Sequence, residues 1–350
     1  MVSQWREVLM PMWQRLLDIQ RRIAPEAIDE LLKRFELLKR IEANQPIGRR
    51  TLAKKLELSE RILRREVDRL QSLGLILIDK RGIAVSPAGI EVMEELSPYI
   101  TTIDRRSDLA RGLREKFGLK DFFIVRGDAD GNPELQKELS KRMAEELQKM
   151  FFNGAVISVA GGSTMANVGN YLKPTEQELL FVPARGGLGE EVGNQANSIA
   201  SRLAVATGSA HKVLYAPDNV GESVLESLKL EPAVKEVAKL NQASDFVIHG
   251  IGEAFTMARR RNVGQDVLEQ LEQKGAVGET FGYYFDADGD ILRKVKTIGL
   301  QLEDLESKQA VFAVAGGSSK KEAVRAYMKI APKNTLLFID ETIAEYLLNS

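Results

Sequence analysis

Apolar residues recur three and four positions apart through the first hundred residues, and short unbroken apolar runs take over after that. Residues 3–23 read as an amphipathic helix on Trp5, Leu9, Met12, Leu16, Ile19 and Ile23, with Pro11 ending or kinking it near its first turns. Such an arm either packs on its own domain or pairs with a second chain. A further helix opens at Pro25, a good first-turn residue, and carries Ile28, Leu31, Leu32, Phe35, Leu38 and Ile41 on one face until Asn44–Pro46. A short segment from Arg50 to Leu56 follows, then a turn at Leu58–Ser59, with Ser59 as N-cap. The next helix, Glu60 to about Leu73, buries Leu63, Val67 and Leu70 and turns Arg61, Arg64, Arg65 and Asp68 outward; Gly74 stops it. Strands at Leu75–Asp79 and Ile83–Ser86, joined by Lys80-Arg81-Gly82, and a helix from Pro87 to Leu96 close the unit. Helix, helix, tight turn, helix and basic-tipped hairpin make a winged helix-turn-helix.

From Asp121 onward, short apolar strands alternate with helical segments. Strands are expected at Phe122–Arg126, Ala155–Ala160, Glu178–Pro183, Lys212–Ala216, Phe246–Gly250, Ala310–Ala315 and Thr335–Ile339. Helices are expected at Pro133–Phe151, Ser163–Leu172, Asn194–Ala206, Glu222–Leu228, Glu253–Ala258, Ser318–Tyr327 and Glu341–Leu348. This alternation predicts a Rossmann-like, doubly wound parallel α/β sheet covered on both faces, with ligands at the carboxyl ends of its strands. Residues 276–296 break the pattern and read as a hairpin around the turn Asp286–Asp290. The expected division is an arm over 1–24, a DNA-binding domain over 25–100, a linker over 101–120 and a ligand-binding and oligomerisation domain over 121–350.

Composition narrows the chemistry. A length of 350 residues fits roughly two domains. There is no cysteine, which excludes disulfides, thiolate metal sites and a cysteine nucleophile; with two histidines, no metal site is expected. No apolar run is long enough for a membrane span and no signal-peptide pattern opens the chain, so a cytoplasmic protein is expected. The net charge of −1 hides a segregated patch. Between positions 49 and 69 lie Arg49, Arg50, Lys54, Lys55, Arg61, Arg64, Arg65 and Arg69, against Glu57, Glu60, Glu66 and Asp68. That excess is either a solvated face of helical ion pairs or a surface for a polyanion. The helix geometry favours double-stranded DNA, since one helix buries its leucines while presenting arginines shaped to read guanine in the major groove. Lys80 and Arg81 would then reach phosphate from the wing.

Two strand–helix turns echo each other: Val159-Ala-Gly-Gly-Ser163-Thr164 and Val314-Ala-Gly-Gly-Ser318-Ser319-Lys320. Glycines admit an anion close to the backbone, and the helix start offers free N–H groups. Gly161, Gly162, Ser163, Thr164 and Lys320 are therefore candidate phosphate ligands. Neither turn has P-loop or dinucleotide spacing, so no ATP or NAD cofactor is expected. Arg185, in Pro183-Ala-Arg-Gly-Gly-Leu-Gly189, suits a bidentate phosphate contact or a surface ion pair, and Gln195 can read sugar hydroxyls. Arg259-Arg260-Arg261 form a further cationic cluster, or complement a helix dipole. Glu279 is an isolated carboxylate in an apolar stretch, able to accept from a sugar hydroxyl or to act as a base.

These motifs, together with Phe181-Val-Pro-Ala-Arg185 and His249-Gly-Ile-Gly-Glu253, resemble the SorC family of bacterial sugar-phosphate-responsive regulators across almost the whole chain. The resemblance implies a repressor of glycolytic genes whose ligand domain is similar to sugar-phosphate isomerases in fold, without turnover and without catalytic residues. It implies fructose 1,6-bisphosphate, or a related sugar phosphate, as effector, and homo-oligomers, dimeric or tetrameric on operator DNA. It also implies that Gly161, Gly162, Ser163, Thr164, Arg185, Gln195, Arg260, Arg261, Glu279 and Lys320 contact the ligand. Ser163 stands where relatives often carry Thr, which keeps the hydroxyl. The rival readings are an isomerase using Glu279 or His249 as base, and a nucleic-acid-binding scaffold whose second domain only oligomerises.

Overall fold

Pro25 opens α1 (Pro25–Glu42), whose Phe35, Leu37, Leu38 and Ile41 are buried. In the computed structural model, which describes residues 19–20, 23–56, 59–103, 105–186, 191–217 and 221–350, α2 (Arg49–Leu56) and α3 (Glu60–Ser72) follow. Ser59 caps α3 by accepting from the Ile62 amide at 3.3 Å. Strands β1 (Ile76–Asp79) and β2 (Gly82–Val85) pair antiparallel, with Asp79 opposite Gly82, and α4 (Pro87–Ile103) leads away. Leu52, Leu63, Val67, Leu70, Ile76 and Ile83 share one core. This is the winged helix-turn-helix read from the periodicity. The expected arm helix over 3–23 lies mostly outside the described residues; Ile19, Gln20 and Ile23 within it are helical.

The chain divides into two units, Met1–Asp108 and Leu109–Ser350. Residues 101–120, expected as a linker, instead hold the end of α4 and a further helix, α5 (Arg105–Phe117). Leu109 and Leu113, one helical turn apart, are buried in the second unit's core beside Leu119 and Phe122, so this segment is part of a fold.

Eleven strands of the second unit are described: β3 (Asp121–Val125), β4 (Val156–Val159), β5 (Leu180–Pro183), β6 (Ala210–His211), β7 (Phe246–Gly250), β8 (Gly252–Glu253), β9 (Ala276–Thr280), β10 (Tyr283–Asp286), β11 (Ile291–Lys294), β12 (Ala310–Val314) and β13 (Thr335–Asp340). Seven of them form a sheet in the order β3-β13-β12-β7-β4-β5-β6, with every pairing parallel. From β4 the chain winds outward through β5 and β6, and from β7 it winds the other way. The β4–β7 junction is therefore the switch point where such sheets open a crevice. The others form an antiparallel sheet, β11-β10-β9-β8, which leaves the carboxyl end of β7 and folds over it.

Alternate residues of the central strands serve opposite faces. Phe312 and Phe338 join the cluster of α6 (Pro133–Lys149), which contributes Leu139, Met143 and Leu147. Ala313, Leu337 and Ile339 join the cluster holding Val324 and Tyr327 of one late helix and Ile343 and Leu347 of the last. Remaining helices are α7 (Ser163–Val168), α8 (Ala196–Thr207), α9 (Glu222–Leu230), α10 (Pro232–Gln242), α11 (Ala254–Arg260), α12 (Gln265–Gln273), α13 (Lys321–Ile330) and α14 (Glu341–Asn349). The strand expected at Lys212–Ala216 is displaced to β6. Asn197 takes both backbone groups of Leu214, at 2.9 and 3.0 Å, and draws that stretch out of the ladder. Among the described residues no helix is long and apolar enough to cross a membrane, and no cluster of three metal-ligating side chains occurs.

Candidate ligand and nucleic-acid sites

In the first unit, α3 buries Leu63, Val67 and Leu70 and exposes Arg61, Arg64, Arg65 and Arg69. Two of these cations and two from α2 have acidic neighbours: Arg64 and Arg49 both approach Asp68, at 3.8 and 3.5 Å, Arg65 meets Glu66 at 3.0 Å and Arg50 meets Glu60 at 3.8 Å. Exposed pairs of this kind hold weakly and yield readily to a polyanion. At the wing, Arg81 grips the Asp79 carboxylate with two nitrogens, at 3.1 and 2.9 Å, and those bonds lower the Asp79 pKa. Lys80 beside it is exposed and makes no ion pair among the described residues.

In the second unit, three loops carrying predicted ligand residues leave the carboxyl ends of β4, β5 and β12. After β4, Gly161 and Gly162 turn the chain into α7. The Gly162 amide donates to the Asn194 carbonyl at 2.9 Å, and a side chain on Gly161 would stand 2.9 Å from that oxygen. This holds the turn against Gln195, the N-cap residue of α8. The amides and hydroxyls of Ser163 and Thr164 have no protein partner among the described residues.

The second turn, after β12, repeats the positive-φ glycine but has a different content. Gly317, at φ +106°, caps a short 3-10 helix, Ser318–Lys320. Its amide donates to Asp340 at 2.5 Å, the Ser318 amide to Asp128 at 3.0 Å and the Ser319 amide to Asp130 at 2.6 Å. The expected anion cradle is thus lined by three of the protein's own carboxylates. Lys320 turns its ammonium back onto the Gly316 carbonyl at 2.8 Å. Burial lowers its pKa and nearby Arg260 lowers it further, while Asp130 and Asp340 oppose the shift.

Arg185 follows β5 and is buried; residues 187–190 of its motif lie outside the described residues. Its guanidinium lies over Gly282, where an added Cβ would come within 2.4 Å. Phe281 and Gly282 both have positive φ, +49° and +77°, forming the tight turn between β9 and β10. Beneath it, Glu279 accepts from the Gly282 amide and from Arg261 at 2.7 Å, and Arg261 also donates to the Tyr284 hydroxyl at 3.0 Å. Burial alone would lower the Arg261 pKa, but Glu279 and Tyr284 outweigh it and raise it. Arg260, the neighbouring residue, is exposed. The arginine pair expected to act together is therefore split, one residue inside an ion pair and the other at the surface.

His249, at the end of β7, is buried against Thr280 and Tyr327, at 3.0 and 3.2 Å. Desolvation pushes its pKa down to about 4, partly opposed by Gly250 and Glu279, so it is neutral at physiological pH. Sequence reasoning missed Asp128, Asp130, Asp340 and Tyr284. A signal existed for the first two: Asp128-Ala-Asp130-Gly-Asn132 directly follows a strand, where the sheet places its ligands.

Comparison with known proteins bears on the family and the fold. Residues 101–349 match the family described as "Putative sugar-binding domain", and residues 31–100 match the "CggR N-terminal DNA binding domain". The chain is 40% identical over 336 residues to the central glycolytic genes regulator of Bacillus subtilis (strain 168), covering 95% of this chain and 98% of that protein. It is 38% identical over 335 residues to the Priestia megaterium protein of the same name, with the same coverage. A crystal structure described as a "putative SorC family transcriptional regulator" from Enterococcus faecalis superposes with a TM-score of 0.65 at 40% identity, over 69% of this chain and 99% of that one. The full-length sorbitol operon regulator of Klebsiella pneumoniae shares the fold, with a TM-score of 0.63 at 17% identity over 87% of this chain and 94% of that one. These relatives are transcriptional regulators, not enzymes. With both of its units matched and its parallel sheet shared, the chain belongs to the SorC family of bacterial transcriptional regulators.

Proposed function

We propose that the protein is a cytoplasmic repressor of glycolytic genes whose hold on double-stranded operator DNA is modulated by a phosphorylated sugar, most specifically fructose 1,6-bisphosphate. The observation that carries this reading is the first glycine turn. It sits at the switch point of a parallel sheet, and its Ser163 and Thr164 donors are unused, in a chain that also presents an arginine-faced α3. Gly161, Gly162, Ser163, Thr164 and Gln195 would receive one phosphoryl group. Arg185, Arg260 and Lys320 would supply cationic contacts, and Glu279, oriented by Arg261, would accept from a sugar hydroxyl. Arg61, Arg64, Arg65 and Arg69 would face the groove, with Arg49, Arg50, Ser59, Lys80 and Arg81 on the backbone. The protein would act as a homo-oligomer, a dimer on each half-site and a tetramer on the full operator.

The relatives named as central glycolytic genes regulators support the gene set. The test is anisotropy with a labelled glycolytic promoter fragment, titrated with full-length protein with and without fructose 1,6-bisphosphate, fructose 6-phosphate and dihydroxyacetone phosphate. Selective promoter binding that one of these esters changes is the expected result. Binding no tighter than to an unrelated duplex, or indifference to every ester, overturns the reading.

A further inference from the structure

The twin glycine turns match in sequence and in the positive φ of their second glycine, but not in occupancy. The Ser163–Thr164 donors are open, whereas the Gly317–Ser319 donors are consumed by carboxylates. Asp130 makes most of these contacts: it accepts from the Ser319 amide at 2.6 Å, the Ser319 hydroxyl at 2.9 Å and the Ser318 hydroxyl at 3.2 Å. It arrives from the loop between β3 and α6, stiffened by Asp128, which accepts from the Asp130 and Ser318 amides at 2.9 and 3.0 Å. Gly317 is required there, because a Cβ would lie 2.0 Å from an Asp130 oxygen. A turn amide, two hydroxyls and a neighbouring ammonium, Lys320, around a side-chain anion are the donors a phosphoryl group would use.

We propose that Asp130 is a specificity-determining residue of the ligand site: its carboxylate stands in the second glycine turn where a phosphoryl group would otherwise sit. The site then offers one backbone cradle, at Gly161–Thr164. A second phosphoryl group on the ligand must be held by side-chain cations, because the second turn meets it with occupied donors and a like charge. This inference rests on the sugar-phosphate reading above, and its test separates the two.

Full-length wild type, Asp130→Asn and Asp130→Ala are titrated calorimetrically with inorganic phosphate, fructose 6-phosphate and fructose 1,6-bisphosphate. Asn keeps an acceptor oxygen and removes the charge; Ala removes both. Inorganic phosphate should bind both variants more tightly, by about tenfold for Ala and less for Asn, since a charged acceptor and its hydrogen bonds are being replaced. The Ala variant should also take up one more equivalent than wild type. Should Asp130→Ala not fold, the Asn variant decides. Unchanged or weaker phosphate binding in the folded variants, even with a lowered melting temperature, makes Asp130 a structural brace and overturns the proposal. If wild type ignores fructose 6-phosphate and fructose 1,6-bisphosphate alike, the sugar-phosphate reading fails while the inorganic-phosphate comparison still decides the role of Asp130.

Discussion

Arg261 donates to Glu279 at 2.7 Å with both side chains almost wholly enclosed, 6% and 4% exposed. The pair fixes the turn at Phe281–Gly282, because the same carboxylate oxygen also receives the Gly282 amide. Removing one member leaves the other charged in a dry setting, which typically costs about 3–5 kcal/mol. Arg261→Met is therefore expected to lower unfolding free energy in urea by about that much. Arg261→Met combined with Glu279→Leu should lose clearly less than the sum of the single changes. A double-mutant cycle by circular dichroism reads this, and additive losses would show that the two side chains act independently.

His249 gives the second unit an acid limit. Its folded pKa of about 4 lies below the ordinary 6.5, so the unfolded chain binds the proton more readily. The fold keeps this stabilisation in full above pH 6.5 and loses it as pH falls toward and through 4, by up to about 3 kcal/mol. Melting temperatures between pH 7.5 and 4.5 should fall with acid, and His249→Gln should flatten the slope. An identical slope in the variant would assign the acid sensitivity to other groups.

The wing carries a built-in restraint. Asp79 occupies Arg81 with two hydrogen bonds, while Lys80 is unpaired among the described residues. Lys80→Ala should reduce the slope of log affinity against log salt by about one, whereas Asp79→Asn should tighten DNA binding and steepen that slope as Arg81 is released to phosphate. Arg64→Ala should cost about 1–3 kcal/mol and relax selectivity at one base pair. Equal operator affinity in wild type and an Arg61/Arg64/Arg65 triple Ala variant would remove α3 from the interface.

How far these features were legible depended on whether a local signal carried them. The period of Leu63, Val67 and Leu70, the Ser59 cap and the apolar runs at Phe246–Gly250 and Ala310–Val314 are local, and the winged helix and parallel sheet follow from them. Helix α5 was hidden because its surface is highly charged and its two buried leucines find their partners in late strands and helices. Strand β6 was misplaced because Asn197, from another element, takes up Leu214. The repeated Gly-Gly-Ser turn was visible, but its filling was not. Asp130 is 189 residues from Ser319, and only β13, paired with β3 on one side and with β12 on the other, brings their loops together. Arg260 and Arg261 are alike as letters; the end of α11 sends one outward and one into Glu279.

The remaining prediction concerns how ligand and DNA communicate. A ligand shifts an equilibrium only by its differential affinity for the two states. The candidate contacts lie on loops after β4, β5 and β12 and at the end of α11, so one bisphosphate that spans them draws separate loops together. If the same loops help form a subunit contact, ligand should weaken cooperative binding to a full operator more than binding to a half-site. A coupling of about 1–3 kcal/mol is the usual range, and reciprocity requires operator DNA to lower sugar-phosphate affinity by the same factor. Thr164→Ala removes a donor from the open turn and Lys320→Ala removes the cation at the other, so each should blunt the response to fructose 1,6-bisphosphate. Neither residue belongs to the winged helix, and operator affinity without ligand should stay near wild type. Titrations of full and half operators, with and without saturating ligand, followed by anisotropy and analytical ultracentrifugation, decide the matter. Equal weakening on both operators, with stoichiometry unchanged, would place the effect within a single dimer; no weakening on either would leave binding uncoupled from DNA.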